Sequence, residues 1–122
     1  MVLKNSFFPA IEDKKIINVT VGDILRVAVK EDPQKVALVE TDMDCQLGKQ
    51  WTYEELLKDA EKVAYNLLNR FDSGDKIAVW SPNTAEWAIL EFACALSGMV
   101  LVTINPSYQA NELRYVLEQS KS

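Results

Sequence analysis

The sequence predicts an α/β fold of three-layer type, built on a βαβ unit with parallel strands. From residue 76 onward the pattern is strand, helix, strand, helix with short links, the order that gives parallel pairing. The two strand candidates are Ile77-Ala78-Val79-Trp80 and Val100-Leu101-Val102-Thr103-Ile104. Both are near-continuous apolar runs, which suits strands covered on both faces. The composition permits such a core. A chain of 122 residues, 48% hydrophobic and 25% charged, forms one domain that buries roughly two-thirds of its unfolded surface.

Residues 1–19 read as an N-terminal arm. Phe7-Phe8-Pro9 precedes the charged run Glu12-Asp13-Lys14-Lys15, and the Phe pair is expected to pack on the body. The domain then occupies residues 20–122. Thr20 is an N-cap with Asp23 three residues later, a weak capping box. Ile24, Val27 and Ala28 form the expected inward stripe of the first helix, widened by Leu25, and Asp32-Pro33 stops it. Residues 35–40 read as a strand with Val36, Leu38 and Val39 apolar. Residues 42–49, with Gly48, read as a hairpin connection.

The second helix is the most strongly specified element. Thr52 and Glu55 make a T-x-x-E capping box, and Trp51 and Leu56 flank it as a hydrophobic staple. Tyr53, Leu56, Leu57, Ala60, Val63, Ala64, Leu67 and Leu68 hold helical spacing over four turns. Gly74 turns the chain into the first parallel strand. Ser81-Pro82-Asn83 then leads to a third helix capped by Asn83 or Thr84, with Glu86 available to complete a box with Asn83. Its apolar residues, Trp87, Ile89, Leu90, Phe92, Ala93, Ala95 and Leu96, cover most of the circumference, so burial is expected. Gly98 ends it. After the second parallel strand, Asn105-Pro106-Ser107 turns into a last helix over residues 112–119, buried through Leu113, Val116 and Leu117.

Composition excludes much chemistry. The chain has no histidine, so it holds no Ser-His-Asp triad, Cys-His pair or His-ligated metal. Gly22, Gly48, Gly74 and Gly98 lie too far apart for a G-x-G-x-x-G or Walker loop. Eighteen acids against 13 bases give a net charge of −5, which argues against nucleic-acid or anionic-membrane partners. The longest apolar stretch, residues 87–102, is interrupted by Glu91, Ser97 and Gly98 and is no membrane span. Cys45 and Cys94 are far apart, as in a reduced compartment. With no signal-peptide or transit pattern at the N-terminus, a cytoplasmic location is expected.

Asp72, Asp75, Glu54, Glu55 and Glu61 read as cap, turn or solvated-face acids. Trp80, Trp87 and Phe92 read as core aromatics. The turns Ser81-Pro82-Asn83-Thr84 and Asn105-Pro106-Ser107-Tyr108 follow the C-terminal ends of the parallel strands, where open α/β sheets bind ligands. Neither turn has the glycines or lysine that a triphosphate requires. Lys35, Lys49, Lys62 and Arg70 fall on separate elements, so no phosphate-binding cluster is expected.

Three ordered blocks resemble the adenylate-forming superfamily of acyl-CoA synthetases, adenylation domains and luciferases. They are Trp51-Thr52-Tyr53-Glu54-Glu55-Leu56, residues 74–83 with Glu86-Trp87, and Ala95-Leu96-Ser97-Gly98 through Pro106. The run from Asn105 to Leu117 looks most like medium- or long-chain fatty-acid–CoA ligases. The resemblance implies an N-terminal part of the large domain of an AMP-binding enzyme. It implies, for the complete enzyme, ATP, Mg2+ and coenzyme A, and a fatty-acid or other carboxylate substrate. That carboxylate attacks the ATP α-phosphate to give acyl-adenylate and pyrophosphate, and the thiol of coenzyme A displaces AMP.

The family's phosphate loop, ribose-holding Asp and catalytic lysine have no counterpart in these 122 residues. No catalytic, cofactor-binding or metal residue is therefore assigned, and the chain alone is expected to be an inactive scaffold. The alternatives are a free-standing α/β interaction module and a piece of an amino-acid or aryl adenylation enzyme. Uncovered strand edges or helix faces lead to an expectation of self-association.

Overall fold

Local capping decides where the helices begin, and the rest of the fold follows from how they meet. The computed structural model describes Pro9, residues 16–42, Asp44 and residues 46–122. The expectations for Phe7-Phe8, for residues 12–15 and for Cys45 lie outside the described residues. The order of elements is α1 (Val21–Glu31), β1 (Val36–Thr41), β2 (Leu47–Thr52), α2 (Tyr53–Leu68), β3 (Lys76–Trp80), α3 (Ala85–Ser97), β4 (Val100–Ile104) and α4 (Ala110–Ser120).

Thr20 caps α1 as expected. Its Oγ1 accepts from the Asp23 backbone N–H at 3.1 Å, and its hydroxyl donates to the Asp23 carboxylate at 2.7 Å. The inward face differs from the expected stripe. Gly22 and Leu25 are buried, whereas Ile24 is 55% and Val27 47% exposed. The cause is the packing of α1 on α3. A Cβ on Gly22 would stand 2.9 Å from Leu96 Cδ2, so the glycine side of α1 makes the close approach and Ile24 and Val27 turn outward.

β1 and β2 form an antiparallel pair with register irregularities between Val36 and Leu38 and between Val39 and Thr41. Asp42 organises the connection. Its Oδ1 accepts from the backbone N–H groups of Asp44 (3.0 Å) and Gln46 (2.8 Å). β2 begins inside the stretch expected to be a connection. The strand is exposed at residues 47–50, so no apolar alternation marked it in the sequence.

α2 starts on the predicted capping box. The Glu55 backbone N–H donates to Thr52 Oγ1 at 3.2 Å, and the Thr52 N–H donates to Glu55 Oε2 at 2.9 Å. The staple residues Trp51 and Leu56 are both buried. They join Leu25, Ala60, Ala85 and Ile89 in the core where α1, α2 and α3 meet. Each large member stabilises the fold by at most about 1.5–3 kcal/mol through burial.

β3 and β4 pair in parallel, from Lys76↔Val100 to Trp80↔Ile104, confirming the βαβ unit. Three expectations of burial are corrected here. The two strands are only half-covered, with Ile104 the one buried residue of the pair. Trp80 is 51% exposed, and Trp87 and Phe92 are half-buried. α4 is longer than expected and has no buried residue; Leu113, Val116 and Leu117 are half-buried. The reason is geometric. A strand is covered on both faces only when helices and neighbouring strands surround it, and among the described residues this sheet has two strands. No helix among the described residues is long and apolar enough to cross a membrane.

Candidate functional site

Parallel pairing places the loops after β3 and β4 at the same end of the sheet. Trp80 at the end of β3 ties them together, its indole N–H donating to the Asn105 carbonyl at 3.1 Å. Asn105 folds its own loop. Its Oδ1 accepts from the Ser107 N–H at 2.9 Å, and its carbonyl also accepts from the Tyr108 N–H at 3.0 Å. Thr84, rather than Asn83, caps α3 and accepts from the Trp87 N–H at 3.3 Å. Glu86 in the first turn of α3 titrates below the usual carboxylate range. Its own backbone N–H is the main cause and the Thr84 hydroxyl the next.

The two loops nevertheless open on different grooves. The 81–84 loop contributes Asn83 and Thr84 to a groove of about 410 Å³, shared with Ala85 and with Leu38, Val39, Glu40 and Thr41 of β1. The 105–108 loop contributes Tyr108 to a groove of about 480 Å³ along α4, lined also by Asn111, Glu112, Tyr115, Val116 and Gln119.

One convergence was missed in the sequence. Lys49, Lys58 and Lys62 line a single groove of about 220 Å³ with Trp51, Glu55 and Asp59. Lys49 and Lys62 thus come together, although they were expected to stay apart. The signal was present as spacing: residues 55, 58, 59 and 62 share one face of α2, and Lys49 and Trp51 sit on one face of β2. Lys62 and Lys49 are already engaged. Lys62 pairs with Asp59 at 2.9 Å, and Lys49 Nζ lies 4.2 Å from the Trp51 ring centroid. Lys62, and then the Trp51 indole N–H that donates to Asp59 at 3.2 Å, hold the Asp59 carboxyl below its ordinary range.

Four further acids have structural partners. Glu55 completes the α2 cap, Glu54 accepts from Gln34 at 2.9 Å, Asp75 accepts from the Asp72 N–H at 2.9 Å, and Glu61 lies 3.9 Å from Arg26. Among the described residues no three His, Cys, Asp or Glu side chains gather as metal ligands. These residues do not fit Mg2+ or the phosphates of ATP. The groove that gathers the lysines also holds the Glu55 and Asp59 carboxylates, and the loops at the sheet end supply no cationic or glycine-rich cradle.

Comparison with known proteins places the fold. The N-terminal subdomain of NpsA from Klebsiella oxytoca, in complex with anthranilyl-AMSN, superposes with a TM-score of 0.74 at 26% identity. The match covers 84% of this chain and 26% of that one. The α/β arrangement is therefore that of an N-terminal subdomain of the adenylate-forming enzymes. The family profile described as AMP-binding enzyme matches residues 25–122, and the chain belongs to that family. Among curated relatives, the mitochondrial medium-chain acyl-CoA ligase ACSF2 is 34% identical in human and 32% in mouse. Each alignment runs over 115 residues and covers 93% of this chain. The chain spans 18% of the length of these relatives.

Proposed function

We propose that this chain is the leading portion of an ATP-dependent, AMP-forming fatty-acid–CoA ligase, and that it acts there as scaffold. In this reading residues 1–19 form the arm and residues 20–122 part of the large-domain subdomain. The observation that carries it is the family match over 25–122, in which relatives named acyl-CoA ligases align with nearly the whole chain. ATP, Mg2+, coenzyme A and the carboxylate substrate belong to the complete enzyme, since the residues described here do not assemble a place for them. The chain alone is catalytically silent. ATP–pyrophosphate exchange with a fatty-acid panel should stay at background for the 122-residue chain, and robust exchange would refute the scaffold reading.

The match to NpsA favours a second reading, an aryl adenylation enzyme, because the acyl group in that complex is aromatic. Exchange by the complete enzyme with fatty acids, or with benzoate-type acids, separates the two. We further propose a reducing compartment, the cytoplasm on the sequence reading. The animal relatives are named mitochondrial, so imaging of the tagged complete protein decides between them. Finally, the half-covered strands support self-association of the chain in isolation.

A further inference from the structure

We draw no further inference here: the strongest candidate, the side-chain cluster in the groove between β2 and α2 where Lys49, Lys58 and Lys62 meet Trp51, Glu55 and Asp59, carries none, because Lys62 and Lys49 are engaged within it by Asp59 and Trp51 and nothing in the structure shows what would occupy it.

Discussion

Gly98→Ala should destabilise the fold, and part of its cost should vanish when Ser73 is already alanine. Gly98 ends α3 in the left-handed region at φ 72°. Its carbonyl accepts from the Gly74 N–H at 2.9 Å and from the Ser73 hydroxyl at 3.2 Å. The α3 end and the loop before β3 are thus joined at one atom. An alanine there pays about 1–2 kcal/mol for the left-handed backbone. Its Cβ would also lie 2.5 Å from Ser73 Oγ, closer than side chains tolerate, while Ser73 Cβ at 3.6 Å is an ordinary contact. Ser73 must therefore rotate and lose its hydrogen bond, an exposed bond worth about 0.5–1 kcal/mol. The single substitution should cost about 1.5–3 kcal/mol, a fall in Tm of about 4 °C for each kcal/mol. Ser73→Ala alone should cost about 0.5–1 kcal/mol. The double variant should be no worse than Gly98→Ala alone, because the bond is lost once. Urea unfolding of the four proteins gives the coupling directly. Strict additivity would refute the contact, and a neutral Gly98→Ala would refute the strained backbone as well.

Two further predictions follow from the core and the Lys49 groove. Leu25→Ala should cost about 2–5 kcal/mol and Ile24→Ala no more than about 0.5 kcal/mol, read from urea midpoints; similar losses at both would restore the Ile24 stripe as the inward face of α1. For Asp59, Lys62 and Trp51 hold the folded carboxyl below its unfolded value, so its contribution is complete above the unfolded pKa and disappears as pH falls through the lowered folded one. The stability of the unmodified chain relative to Asp59→Asn should therefore shrink on acidification from about pH 6 to pH 2.5. A difference that stays flat across that range would show that the groove does not hold the charge.

What the sequence disclosed and what it hid divide along physical lines. Signals confined to one turn were legible. The Thr52–Glu55 box, the Trp51–Leu56 staple and the Gly98 stop each depend on residues at most a few positions apart, and all three stand in the structure. Signals that depend on a distant partner were not. Ile24 and Val27 have helical spacing, but Leu96, more than sixty residues away, decides that the Gly22 side packs. β2 exists because β1 pairs with it, and its exposed residues carry no alternation. The apolar runs of β3 and β4 showed correctly that they are parallel strands, yet hydrophobicity says what a strand can bury and not what covers it. At the candidate site, the turns after β3 and β4 were placed correctly at one sheet end. Their separate grooves, and the convergence of Lys49 with Lys62, depend on how β2 lies against α2.

The same division bears on function. The α1–α2–α3 core satisfies itself: its caps are closed and its large side chains meet one another. The β3–β4 sheet does not, because Val100 and Trp80 keep about half their surface and α4 buries no residue completely. Family membership rests on both halves, since the matched region runs from 25 to 122, yet the chain covers about a quarter of the NpsA subdomain structure and less than a fifth of the ACSF2 relatives. Apolar surface held in a shared fold and left open by the chain's own residues is where further polypeptide fits at least cost in desolvation. The scaffold reading rests on that contrast. The chain builds a complete helical core to hold in place a sheet that its own residues cover only in part.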